Sequence, residues 1–238
     1  MNKRMAPPVA TGAVNVREIV SPQGVRAWLV EDYAVPIVSL ELAFRGGASQ
    51  DPAGRYGATT IFSGLLDEGA GDLDSQAFHR ALDDKAIEIG FHADQDKISG
   101  RMRTLAKNLD RAGALLALAV NAPRFDDEPF ERVRDQVQAH LRNEMNDPNT
   151  AAYRGFRARV FAGHPYEHPA DGTLESLDAL TRPDMSTLHA RLLARDALHI
   201  AVVGAIAPDR AGRLLDEAFA GLPLKADLAP VGRAPFHG

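Results

Sequence analysis

Apolar positions change their period along the chain, and those changes divide it into elements. From Val14 to Val20 and from Val25 to Glu31 they alternate with polar positions, and Ser21-Pro22-Gln23-Gly24 between them has turn chemistry, so two strands are expected. Ile37 to Phe44 alternates again and predicts a third strand. Arg45 to Gly57, rich in Gly, Asp and Pro, reads as a loop, after which Ile61, Phe62, Leu65 and Leu66 recur at helical spacing within Ala58 to Asp67. Asp74 and Ser75 are cap residues for a second helix reaching about Ala86, and Ile87 to Leu105 alternates like a hairpin turning near Asp94-Gln95-Asp96. Three helical patterns follow, Lys107 to Asn121, Pro129 to Met145 and Thr150 to Phe161. A Gly/His/Pro loop from Gly163 to Gly172 leads to a short helix and then to a longer one over Pro183 to Ala194. The apolar, β-branched run Leu198 to Ile206 suits a buried strand, and Asp209 to Leu222 closes with a helix.

Strands and helices in segregated blocks favour an α+β layer over a doubly wound sheet. The boundaries follow: a Pro/Ala-rich arm over 1–13, one domain over 14–222, and a linker-like tail over 223–238. Acidic and basic residues are mixed along the whole chain, with a formal net charge of -5 and no basic block, so nucleic acid is not an expected partner. With no cysteine, a disulfide framework, a thiolate zinc site and a thiol nucleophile are all excluded. The longest apolar stretch, Ala112 to Val120, is far too short to span a bilayer, and no membrane partner is expected. The start, MNKRMAPPVATGA, has basic residues without the apolar core of a secretory signal.

Four local motifs, unspecific singly, form a specific series by order and spacing. They are Arg45-Gly46-Gly47-Ala48 before the first helix, Leu66-Asp67-Glu68-Gly69-Ala70 after it, His164-Pro165-Tyr166 with Asp171-Gly172-Thr173, and Ala201-Val202-Val203-Gly204. The series resembles the pitrilysin/insulinase family of zinc peptidases, in particular the mitochondrial processing peptidase branch, over about Val14 to Leu222. The resemblance implies an α+β half-domain with a mixed, largely antiparallel sheet covered by helices.

In active members of that family the first helix carries H-x-x-E-H, two imidazole zinc ligands and a glutamate base, and a distant glutamate completes the ligand set. Aligned on Gly57 and Leu65-Leu66, this chain has Thr60, Ser63 and Gly64 at those three positions. The distal ligand lies about 76 residues beyond the second histidine in the family. That count from Gly64 arrives at His140, and Glu131-Arg132 through His140 matches the charged helix around that ligand, so two routes agree. The resemblance therefore implies that Thr60, Ser63, Gly64 and His140 are degenerate zinc-site positions, with no catalytic and no metal-binding residue in this chain. It further implies a noncatalytic subunit, whose cofactor zinc and catalysis belong to a homologous zinc-bearing partner and whose peptide substrates occupy a shared chamber. The alternative is a structural scaffold of the same fold. The tail implies a chain about twice this length, and relatives of this kind imply a periplasmic setting, with a cytoplasmic one as the alternative.

Other candidate chemistry is weighed against plainer roles. His164 and His168 are four apart but sit in Pro-flanked HPYEHP, where helical ligand geometry is not available, so a structural loop is expected. His140 shares an apolar stripe with Val133 and Val137 and is expected to be partly buried and satisfied. Asp67 with Glu68, and Asp94 with Asp96, read as solvated charges rather than catalytic pairs. Glycines 46, 47, 54 and 57 lack a phosphate-loop pattern and are expected to serve close backbone packing, and Ser63 has no nucleophile context.

Overall fold

The structure is a computed structural model and describes residues 15–234; the arm expected over 1–13 lies outside the described residues. Six strands form one sheet in the order β1-β2-β6-β3-β5-β4: β1 (Arg17–Val20), β2 (Arg26–Glu31), β3 (Ile37–Arg45), β4 (Glu88–Ala93), β5 (Lys97–Leu105) and β6 (Leu198–Gly204). Every pairing is antiparallel except β2 with β6, so the sheet is mixed and largely antiparallel. The apolar run read as a buried strand is β6, held on both sides, with Leu40 facing Val202 and Leu29 facing Val202 across its two seams.

Alternation decides which face is covered. Leu29, Val38, Leu40, Leu42, Phe44, Ile98, Met102, Ile200 and Val202 point into the core and are almost fully buried. Their neighbours Arg26, Trp28, Glu41, Arg101, Arg103 and Val203 point the other way and are exposed. Register aligns Trp28, Ala201, Glu41 and Arg101 in one row across that open face.

Eight helices are described: α1 (Ala58–Leu65), α2 (Ser75–Asp83), α3 (Leu109–Asn121), α4 (Asp127–Glu144), α5 (Pro148–Val160), α6 (Leu174–Asp178), α7 (Arg182–Leu192) and α8 (Pro208–Phe219). Asp74 caps α2, its carboxylate accepting the Ala77 amide at 2.8 Å. In α3 Gly113 lets α8 approach, since a Cβ there would fall 2.6 Å from Leu214. The burial of α1 by α4 and α7 completes the core, with Ile61, Phe62 and Leu65 at most 1% exposed. By contrast α5 buries no residue and exposes Tyr153 and Phe156.

The tail read as a linker is held down over its described part. Arg195 N donates to Pro223 O at 2.9 Å, Asp227 N to Arg191 O at 2.9 Å, and Leu228 packs against the core.

Candidate functional site

A glycine at the N-cap of α1, Gly57 with φ of 90°, brings no side chain to the free amides of the first turn. Asp51 supplies it from six residues upstream. Its carboxylate accepts from Gly57 N at 2.8 Å, Thr59 N at 2.9 Å and Thr59 Oγ1 at 2.5 Å. Burial nevertheless pushes the Asp51 carboxyl up to about 6, against the lowering effect of those hydrogen bonds.

The three residues at the motif positions of α1 are engaged in packing. Thr60 Oγ1 donates to Ala170 O at 2.9 Å, tying the helix to the loop after HPYEHP. Ser63, 2% exposed, donates to Thr60 O at 2.9 Å, which is a helix back-bond and leaves no poised nucleophile. Gly64 faces α4, and a Cβ on it would lie 3.1 Å from Val133 Cγ1.

His140 departs from expectation. It is exposed, not partly buried, and its Nε2 lies 3.2 Å from Glu144 Oε1 one turn on. The inner face of α4 runs through Val133, Gln138 and Leu141, so the stripe is rotated away from His140. Gln138 can take an inner position because its amide donates to Asp178 Oδ1 at 2.7 Å and accepts from Arg142 at 2.9 Å.

Partners of two of the four positions, Thr60 and His140, meet at one cleft. His140 lies two turns, about 10 Å, beyond Val133 along α4. Its partner Glu144 and Thr60's acceptor Ala170 both line a cleft of about 400 Å³, together with Tyr153, Arg154 and Arg157. The donor set does not fit zinc: two hydroxyls already donated to backbone, a residue with no side chain, and one imidazole paired with a carboxylate. Among the described residues no group of three His, Asp or Glu side chains could hold a metal ion.

The acids just after α1 correct the reading of solvated charges. Glu68 is 13% exposed at its side chain and accepts from Arg132 Nη2 at 2.6 Å and Ser75 Oγ at 2.6 Å, with His79 Nε2 at 3.3 Å. Burial works against the ionised form, but the bonds from Arg132 and Ser75 outweigh it and hold the carboxyl below its usual range. Asp67 has no such partners, and burial pushes it up to about 6. The second pair behaves as hairpin-tip chemistry, with Asp94 Oδ1 accepting from Asp96 N at 2.9 Å and Lys97 N at 3.0 Å.

HPYEHP is a structural loop. His164 Nδ1 accepts the Tyr166 amide at 3.1 Å while Nε2 donates to Gly232 O at 2.9 Å, and His168 stacks on Tyr56. Gly47 packs closely, since a Cβ there would lie 2.0 Å from Asp94 O, whereas Gly54 has open space around it and serves a turn at φ of +75°.

No family model matches the chain. A non-peptidase homolog of Helicobacter pylori is 26% identical over 193 residues, covering 81% of this chain and 45% of its own. The crystal structure of a peptidase M16 inactive domain from Pseudomonas fluorescens superimposes with a TM-score of 0.87 at 25% identity, covering 93% of this chain and 54% of that one. The chain is similar in fold and sequence to the M16, pitrilysin-type peptidases. Both of these similar proteins are of the inactive, non-peptidase type. An uncharacterized zinc protease of Mycobacterium leprae is a further relative, 26% identical over 198 residues, 83% of this chain and 44% of that one. The chain thus spans about half the length of the relatives it matches.

Proposed function

We propose that this chain is an M16-type noncatalytic subunit that completes the substrate chamber of a two-chain zinc endopeptidase. The observation that carries the reading is the use of the α1 face: where the family's resemblance places two imidazoles and a carboxylate, Thr60 and Ser63 bond to backbone and Gly64 packs on Val133. A helix whose polar groups are spent in this way contributes packing, not chemistry. Zinc is then supplied by a homologous partner with an intact motif, and peptides or partly unfolded segments are the substrates held between the two. The cleft beside Ala170, with Tyr153, Arg154 and Arg157, offers aromatic and cationic contacts to such a chain. A periplasmic setting is part of the proposal, and cell fractionation tests it.

Mixing this protein with an intact-motif homologue from the same organism is the deciding experiment. Light scattering should report a complex at micromolar concentration, and cleavage of an unstructured peptide should rise only when both chains are present. A complex whose turnover never exceeds that of the homologue alone overturns the subunit role, as does the absence of any complex.

A further inference from the structure

The described residues after α8 form no regular secondary structure, yet they are held at one point after another. Ala226 N donates to Asp196 Oδ1 at 2.8 Å and Asp227 N to Arg191 O at 2.9 Å. Farther on, Gln50 clamps Ala229 with both ends of its amide, Oε1 accepting the amide hydrogen at 2.8 Å and Nε2 donating to the carbonyl at 3.1 Å. His164 Nε2 then donates to Gly232 O at 2.9 Å. Among the described residues, all the polar contacts of 226–232 are made to main-chain atoms, apart from the 3.8 Å pairing of the exposed Asp227 carboxylate with Arg191. One side chain is read as well. Leu228 lies over Gly46, where a Cβ would come within 2.6 Å of Leu228 Cδ2, so the missing side chain of Gly46 makes an apolar subsite of leucine size.

Two further facts describe how the strap is seated. Gln50 and His164 are 6% and 8% exposed, and both amide atoms of Gln50 are spent on Ala229. Departure of the strap would open these groups to water, and another main chain could present the same amide and carbonyl to them. The strap itself is largely exposed from Lys225 to Arg233, with only Ala226 and Leu228 partly covered.

We propose that the groove between the 3-10 turn Ala48–Gln50, the end of α7 and the HPYEHP loop is a peptide-binding site. It recognises main-chain amides through Gln50 and His164 and one aliphatic side chain over Gly46. In this chain it is filled in cis by Asp227–Gly232, and a peptide of the same chemistry competes for it in trans. Because recognition is by backbone plus one subsite, the site is tolerant of sequence outside the leucine position. The inference does not rest on the chamber reading.

The test uses the full chain and a labelled, end-capped peptide with the sequence of residues 224–233. The cis strap acts at an effective concentration in the millimolar range and masks the groove, so the Leu228→Asp variant is used to loosen it. This substitution lies in the irregular tail, and the circular dichroism of the variant should match that of the parent. Hydrogen exchange of the Ala226, Asp227 and Ala229 amides should rise more than tenfold in Leu228→Asp, with β3 and α8 amides unchanged. The peptide should bind the variant saturably and at least tenfold more tightly than it binds the parent chain. A peptide carrying the same Leu→Asp change should not bind, and Gln50→Ala added to Leu228→Asp should weaken binding at least tenfold. Unchanged exchange in Leu228→Asp overturns the subsite. Failure of the opened variant to bind, or equal binding of both peptides, overturns the site.

Discussion

Gly64 of α1 and Val133 of α4 meet so closely that a Cβ on the glycine would stand 3.1 Å from Val133 Cγ1. The contact sets the terms for rebuilding a metal centre. Thr60→His, Ser63→Glu, Gly64→His and His140→Glu together supply the family's donors, but an imidazole at 64 must displace Val133. Overpacking of this kind costs about 1–3 kcal/mol and offsets the helix-propensity gain of about 1 kcal/mol from removing a mid-helix glycine. The fourfold variant should therefore melt below the parent and bind zinc weakly, and adding Val133→Ala should restore the melting temperature and raise zinc affinity at least a hundredfold over the parent. Chelator competition and thermal denaturation measure both. A folded fivefold variant with the parent's zinc affinity would count against Thr60, Ser63, Gly64 and His140 as the former ligand positions.

Asp67 gives a pH dependence with a definite sign. Burial raises its carboxyl in the folded chain to about 6 from 3.8, so the folded state holds the proton more tightly than the unfolded one. The stability associated with protonation is fully present below about pH 4 and is lost as pH rises to about 6. Asp67→Asn removes the charge that is costly at higher pH. It should stabilise the protein by about 1–2 kcal/mol at pH 8, a discounted share of the roughly 3 kcal/mol that a two-unit shift represents. The gain should vanish near pH 4. Urea denaturation at the two pH values checks this, and a gain independent of pH would refute the assignment.

Much of the architecture was legible because period and punctuation agree. Ile37 to Phe44 and Leu198 to Ile206 became paired strands, and Asp94-Gln95-Asp96 turned the hairpin as its residues required. The site was less legible, for reasons visible in individual residues. Asp51 caps α1 from outside the helix, so no local pattern marks it. Glu68 reads as solvated from its neighbours in sequence, and only the approach of Arg132, 64 positions later, makes it the centre of a buried cluster. His140 was misplaced because Val133 and Val137 suggest a stripe that includes it, whereas the partner Asp178 allows polar Gln138 to take the inner position.

The end of α2 offers a simpler test of local physics. Ile87 N donates to Leu82 O at 3.0 Å and Ala86 N to Asp83 O at 3.0 Å, the two bonds of a Schellman cap, and Ala86 takes the left-handed position with φ of 48°. Glycine adopts that conformation without Cβ strain. Ala86 is exposed and gives up no packing. Ala86→Gly should therefore raise stability by about 0.5–1 kcal/mol in equilibrium denaturation, while a mid-helix Ala81→Gly lowers it by a similar amount.

The Glu68 cluster joins the segment after α1 to α2 through Ser75 and to α4 through Arg132, so it can be separated into pair and framework contributions. Truncating Glu68 alone leaves the Arg132 guanidinium and the Ser75 hydroxyl short of an acceptor in a half-buried setting. Glu68→Ala should cost about 2–3 kcal/mol, and Arg132→Ala somewhat less because Arg132 is 38% exposed at its side chain. In a double-mutant cycle the two should couple by about 1 kcal/mol, since partial exposure screens the pair. The carboxyl of Glu68 is held below its usual range in the folded state, so this stabilisation is present above the unfolded value and fades as pH falls through the folded one. Coupling measured at pH 7 should thus exceed coupling measured near pH 3, and it should shrink in 1 M salt. Additive costs at pH 7 would mean that Glu68 acts through Ser75 and His79 alone.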